Sequence, residues 1–456
     1  MKTVVTRQMY PDSDQMFIER LPPEIWHRVF RLVHKEDLLN ICLVSRKFLA
    51  VASSPFFWRE ITLSRKKMVE KNAWQEFLKL GRFKDSHSIK LAADQTNHYM
   101  FDSKRWKEKH SKETKESMKN LMEIYKTHKS IKSIKMNFME LSQVEISDIT
   151  QVVKRLESVD LTSSDLTESQ VTTVIESIVS SGRLKSLILS GITLSEVNPE
   201  HFHHMGESLK EIDLNYTLLT KDQLTSLLQG ISKAKRVKSL SLADIKEPLY
   251  HHESSLLADC ISSHIEYLDL SSSLISKESK LAMLTKLKLG FHKIKTLCLN
   301  NVNLSFPNYQ IKLLAESLSS VPELELSGCF LDDHNIVEVL LQEIIVQRKV
   351  KKLDISRNNI KNIDKSLLID AFSPMTAVNL SQTKFNQICP TQTKALLTSF
   401  AHSAHLEDLK LNGYRYNLCH IELSVLGSLV TNIKYLYLNN AELESGQIVK
   451  LLTESK

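Results

Sequence analysis

From residue 131 onward, apolar side chains recur in a fixed frame: positions one, four and six are apolar, and the positions between them are mostly polar. The frame starts twelve times, from Ile131 and Leu156 through Leu406 and Ile433, at intervals of 25 to 31 residues. Positions four and six, such as Leu187 and Leu189 or Leu297 and Leu299, share one face of a short strand because side chains alternate along extended backbone. Five residues further on another apolar residue usually follows, as at Leu166, Leu194 and Leu219. The period then changes. Val171, Val174, Ile175 and Ile178, and later Leu224, Leu227, Leu228 and Ile231, fall at the i, i+3, i+4, i+7 spacing of a helix buried on one side. Thr167-x-x-Gln170 and Thr220-x-x-Gln223 predict capping boxes where these helices begin. Each unit is therefore strand, turn, helix. A unit this small cannot bury its own stripe, so the units must stack, with parallel strands on a concave inner wall and helices outside.

The first sixty residues follow a different rhythm. Leu21-Pro22-Pro23-Glu24 opens a helix, since proline in the first turn gives up no hydrogen bond and an acid there suits the positive helix end. Ile25, Val29, Leu32 and Val33 recur at helical spacing, and further short helices are predicted over Glu36–Ile41 and Ser45–Ala52, the last stopped by Pro55. Three small helices hold little core, so part of their apolar surface is expected to await a partner. The run Leu21-Pro22-x-Glu24-Ile25, Val29-Phe30, Asp37-Leu38-Leu39-Asn40-Ile41, Val44-Ser45-Arg46-Lys47-Phe48, Ala52 and Pro55-x-Phe57-Trp58 resembles an F-box from end to end. Phe48 stands where that family usually has Trp. The resemblance implies docking to a Skp-type adaptor, and through it to a cullin and a RING subunit, with Leu21, Pro22, Ile25, Phe30, Leu38 and Leu39 on the adaptor-facing surface. The repeats resemble the helix-backed leucine-rich-repeat family. Where that family often has Asn or Cys, only Asn358 and Cys329 match, while Ser164, Thr217, Ser273 and Thr383 offer hydroxyls and Ile192 and Val302 nothing polar. A patchy ladder of buried polar side chains is expected from this.

The expected fold class is thus α/β, a leucine-rich-repeat horseshoe preceded by a small all-α F-box. The expected organisation is a tail (1–17), the F-box (18–60), a connecting region (61–130) and the solenoid (131–456). Within the connecting region, Trp58-x-x-Ile61-x-Leu63 and Ser86-x-x-Ile89-x-Leu91, 28 residues apart, fit degenerate repeats. Lys104–Lys119 carries seven Lys or Arg against three Glu and reads as a solvated helix ahead of an import signal or phosphate-binding patch. The six cysteines show no CxxC pair, which suits a reducing compartment. With no signal-peptide pattern and no long apolar run, cytoplasm or nucleus is expected and a membrane is not. The formal charge of +7 is a weak excess over 456 residues, and nucleic acid is not the expected partner.

Residues at positions three, five and seven face the concave wall. Position five supplies Asp160, Asp213, Asp269, Glu325 and Asp354, with Glu211 and Glu323 at position three, while Asp408, Tyr414, Tyr435 and Tyr437 make the carboxyl end more aromatic. These are the candidate substrate-binding residues: the acids would hold a basic segment of a protein substrate and the tyrosines an anchoring group. Solvated strand positions are the alternative reading of the same acids. Position seven, nearly all Asn or Ser, reads as repeat grammar. No phosphate loop, zinc-protease or nucleophile-elbow motif is present, and His201, His203, His204, His251 and His252 lack partners at metal-ligand spacing; no cofactor and no catalysis are expected. The leading expectation is a substrate-recognition subunit of a ubiquitin ligase. A repeat scaffold or inhibitor whose F-box-like helices only cap the array, and a nucleic-acid-binding repeat protein, are the alternatives.

Overall fold

The computed structural model describes residues 21–33, 38, 41, 44–52, 54–58, 60–64, 88–92, 114–116, 118–122, 124, 129–290, 293–329, 334–360, 363–383, 390–413, 416–418, 421–439 and 441–454. The chain forms two compact units, Met1–Gln170 and Val171–Lys456.

The first unit starts with helices α1 (Pro23–Arg31), α2 (Arg46–Ala52) and α3 (Pro55–Trp58), then strands β1 (Glu60–Ser64), β2 (Ser88–Ala92), β3 (Ser133–Lys135) and β4 (Ser158–Asp160). All four strands pair in parallel and in order. Ile61 lies opposite Ile89 and Leu63 opposite Leu91, so the two degenerate repeats read from the sequence are strands of this ladder, which begins two residues after α3. Of the basic stretch 104–119, residues 104–113 and 117 lie outside the described residues.

The second unit continues the repeat as β5 (Ser186–Ile188), β6 (Glu211–Asp213), β7 (Ser239–Ser241), β8 (Tyr267–Asp269), β9 (Thr296–Cys298), β10 (Glu323–Glu325), β11 (Lys352–Asp354), β12 (Ala377–Asn379) and β13 (Asp408–Lys410). The two-residue β14 (Tyr416–Asn417) follows, then β15 (Tyr435–Tyr437) and β16 (Ala441–Glu442). β5 to β13 and then β15 pair in parallel, each with the next, while β14 pairs with β16. The register sets position four of every repeat against position four of the next, as in Leu187↔Ile212 and Leu409↔Leu436. These residues are 0 to 2% exposed until the last, Leu436, which is half-buried at the ladder's end. A helix follows each main strand from β5 onward, and neighbouring helices pack on one another. Helices need about 8–10 Å between axes where strands need about 4.8 Å, so stacking bends the unit with its strands inside.

Two side-chain ladders and one backbone ladder stitch neighbouring repeats within each unit. At position nine, Ser164 donates to the carbonyl of Met136, Ser273 to Leu242 (2.6 Å), Cys329 to Leu299 (3.0 Å) and Asn358 to Leu326 (2.7 Å). Each acceptor is position six of the preceding repeat. The ladder is therefore more continuous than its sparse Asn and Cys content implied, because a hydroxyl or thiol reaches the same carbonyl. Thr217 and Thr383 instead donate within their own repeats, to Leu214 and Leu380.

The second ladder uses the third residue of the helices. Gln223 accepts the Thr220 N–H through Oε1, while its Nε2 donates to the carbonyls of Leu194, Ser195 and Val197 in the previous repeat. Gln170 and Gln447 do the same with Leu141, Ser142 and Val144, and with Leu418 and Ile421. The predicted capping boxes are thus also inter-repeat clamps. Glu253 occupies this helical position in Tyr250's repeat, is fully buried, accepts from Thr225 Oγ1 and leaves Oε2 without a partner.

The third ladder is backbone. Position eight is left-handed in ten repeats, with φ between 51° and 73° from Phe138 to Gln382. Only Gly191 and Gly328 supply the residue that favours this region. In this conformation the N–H points along the array: Tyr216 donates to Ala243, Asp244 to Ser271 and Arg357 to Ser381.

A buried acceptor with no donor is costly, so Glu253→Gln is expected to stabilise the fold by about 1 kcal/mol. Gln223→Leu, which strands three carbonyls, should destabilise it by about 2–3 kcal/mol. Equilibrium urea unfolding reads both, and midpoints that do not move would contradict the clamp.

Candidate interaction surfaces

In the F-box-like segment, Ser45 Oγ accepts the Phe48 N–H at the start of α2, and Lys47 Nζ donates to the Leu21 carbonyl (2.9 Å), tying the segment's beginning to α2. α1 is apolar on two sides. Its inner side carries Trp26 and Phe30, which meet Phe48 with ring centroids 4.6 and 5.5 Å away; Phe57 lies 6.2 Å from Phe30. Phe48, in place of the family's usual Trp, thus fills the centre of an aromatic cluster. Its outer side carries Ile25, Val29 and Leu32, exposed by 39, 40 and 88%, and Val44 beyond the helix is 69% exposed.

The residues expected on the adaptor-facing surface differ in exposure. Phe30 and Leu38 are 2 and 1% exposed, and Phe30 packs among the rings of Trp26, Phe48 and Phe57. Ile25 and Pro22 are exposed and Leu21 half-buried; Leu39 lies outside the described residues. Val29, Leu32 and Val44 were missed as surface residues, although the i, i+4, i+7 spacing of Ile25, Val29 and Leu32 was visible.

On the concave wall the acids first serve the turns. Oδ1 of Asp160, Asp213, Asp269 and Asp354 accepts the N–H two residues ahead, at position seven, over 2.8 to 3.0 Å, and Asn379 Oδ1 does the same. Where position five cannot do this, position seven of the preceding repeat reaches across: Asn215 to Ala243, Ser271 to Asn300, Asn300 to Ser327, Ser381 to Asn412 and Asn412 to Asn439. Position seven is grammar in this physical sense, and four of the five acids share in it. Asp160 is 6% exposed and also accepts from Asn137 and Thr162, so it lies within the wall rather than on it. Glu325 alone among the five is exposed and makes no such turn contact; it accepts from Asn300 Nδ2.

A groove opens on the wall of the second unit from β9 to β13. Its volume is about 150 Å³, and it is lined by residues including Thr296, Glu325, Asp354, Asp408 and Lys410. Lys352 pairs with Glu323 at 2.8 Å, and Asp408 Oδ1 is shut away from solvent without a hydrogen-bond partner. At the end of the ladder Tyr435 and Tyr437 are 48 and 40% exposed, with Lys410 Nζ 5.5 Å above the Tyr437 ring. Tyr414 lies outside the described residues. Cys298, also on this wall, is buried, and burial with Glu325 and Asp269 nearby pushes its thiol well above the ordinary range, which disfavours a thiolate nucleophile. Among the histidines, His201 lies 3.5 Å from Glu176, and His203 and His204 lie 3.5 and 3.4 Å from Glu207.

Replacing Asp213, Asp269 and Asp354 together by Asn keeps the turn acceptors and should leave stability within about 0.5 kcal/mol. Replacing them by Ala should cost about 3 kcal/mol, near 1 for each bond lost. Urea unfolding of both triple variants separates the acids' structural role from any binding role.

A family model described as F-box-like matches residues 18–64. No curated protein matches the chain. Among solved structures, a leucine-rich-repeat protein of Leptospira interrogans is similar over 83% of this chain and 91% of its own, at 16% identity and a TM-score of 0.42. Residues 18–64 are F-box-like, and strand, turn and helix units of the leucine-rich-repeat kind make up the array that follows them.

Proposed function

We propose that the chain is the substrate-recognition subunit of a Skp/cullin/F-box ubiquitin ligase. The F-box-like helices dock on a Skp-type adaptor and so reach the cullin and RING subunits. The concave wall of the repeats holds a protein substrate, and the chain itself is non-catalytic. The observation that carries this reading is the outward apolar stripe of Ile25, Val29 and Leu32, with Val44 exposed as well. These side chains sit within an F-box-like match on helices whose inner side is already filled by aromatic rings. Exposed aliphatic residues grouped in this way mark a docking surface. The groove from β9 to β13, with Glu325 at its wall and Tyr435 and Tyr437 beyond it, supports substrate capture through a basic segment and an aromatic anchor.

Leu32→Asp with Val44→Asp tests the docking side without touching the core, which replacement of the buried Leu38 would. Loss of adaptor binding by at least roughly tenfold, or about 1.4 kcal/mol, is expected in a titration of purified adaptor, with the circular dichroism unchanged. If the unaltered chain binds no Skp-type adaptor, the repeats act as a scaffold or inhibitor outside ubiquitination.

A further inference from the structure

The chain's modest positive charge is gathered on one rim of the second unit. Short loops join each helix C-terminus to the next strand, so the last helical turns, these loops and frame position two lie along one edge. That edge holds fifteen Lys or Arg against five Asp or Glu. Its excess of ten is larger than the +7 of the whole chain, so the remainder is net negative.

Backbone hydrogen bonds fix the edge in register. The Lys185 carbonyl accepts the N–H groups of Lys210 and Glu211, that of Lys210 accepts Lys238 and Ser239, and that of Lys238 accepts Glu266 and Tyr267. Position two therefore stacks from repeat to repeat about 5 Å apart, which sets Lys185, Lys210 and Lys238 in a row. Like charges at this spacing oppose folding.

Glu266 relieves part of the row by bridging Lys238 at 3.7 Å and Lys295 at 2.6 Å, and Glu207 pairs with Lys233 at 2.7 Å. The cations are densest at alternate repeats, before Val237, Ile294 and Val350, which puts the clusters about 10 Å apart. Arg236, Lys293 and Lys349 are exposed members of these clusters. Buried beside them, His264 is held down to about 4, by desolvation first and then by the charges of Lys238, Lys235 and Lys293. Helix C-termini favour cations, and that accounts for Lys233, Lys286 and Lys288 inside the last turns. It does not account for the lysines at position two, which lie past the helix.

We propose that this rim is an interaction surface for an acidic polypeptide segment. Two features favour protein over nucleic acid. The described residues of these loops expose no Phe, Tyr or Trp on which the bases of a single strand could stack. Glu207 and Glu266 also interrupt the row, and a continuous phosphate track would meet them, whereas an acidic segment can place its carboxylates opposite the clusters alone. The surface is separate from the concave groove, and its use does not depend on adaptor docking.

The test is a fluorescence titration of the full chain with labelled poly-L-glutamate at low salt, run beside a DNA duplex and an oligouridylate. Arg236→Gln, Lys293→Gln and Lys349→Gln together should weaken poly-glutamate binding at least roughly tenfold. The same charge change on the opposite rim, at Lys221, Lys277 and Lys365, should alter it less than about twofold. The proposal is overturned if poly-glutamate does not bind, if both triple variants lose affinity equally, or if either nucleic acid binds more tightly than poly-glutamate.

Discussion

Everything in the repeat array depends on hydrogen bonds that no repeat can make alone. Polar groups at the ends of the strands find partners in the neighbouring repeat: the N–H of position eight donates forward, and at Met136, Leu242, Leu299 and Leu326 the carbonyl of position six receives a hydroxyl, thiol or amide from the next position nine. Left unmet in the interior, such groups are costly. Stacking is therefore compulsory, as the helical stripes such as Leu224, Leu227, Leu228 and Ile231 also require. Because the donors lie at fixed frame positions, stacking also fixes the register, and register decides which side chains can meet across repeats.

That constraint explains why one position serves two purposes. An aspartate at position five must first accept the N–H of position seven, and its remaining oxygen can be taken as well, as Oδ2 of Asp160 is by Asn137 and Oδ2 of Asp354 by Asn379. Where the residue is Glu325, Cys298 or Tyr437, the preceding Asn or Ser takes over the turn and position five is released. Freed positions collect between β9 and β15, where the groove and the exposed tyrosines also lie. The rim lysines at position two follow the same logic: their backbone is held by the ladder, and side chains such as Lys238 and Lys295 pair with Glu266 along the edge.

Much of this was legible in the sequence. The twelve frames gave the strands, Ile61 and Ile89 gave the two degenerate ones, and Thr220 with Gln223 gave a capping box, because each rests on local spacing. What could not be read was which polar atoms meet across repeats. Left-handed backbone at Phe138 or Tyr216 carries no glycine to announce it, and the reach of Gln223 into the previous repeat depends on packing rather than pattern. The adaptor-facing role expected of Phe30 and Leu38 comes from the family resemblance rather than from spacing, and both side chains are buried. Spacing alone does not tell the filled side of α1 from the open one; the aromatic cluster around Phe48 does.

The central claim is a division of labour, with one partner held by the F-box-like helices and another by the repeats. Cross-linking mass spectrometry on the full chain captured with its partners tests it most directly. The expected result is adaptor cross-links confined to Lys47 and its neighbours, and cross-links to the second partner clustered on the concave lysines Lys352 and Lys410. Adaptor cross-links at Lys352 and Lys410, or no adaptor recovered at all, would contradict it.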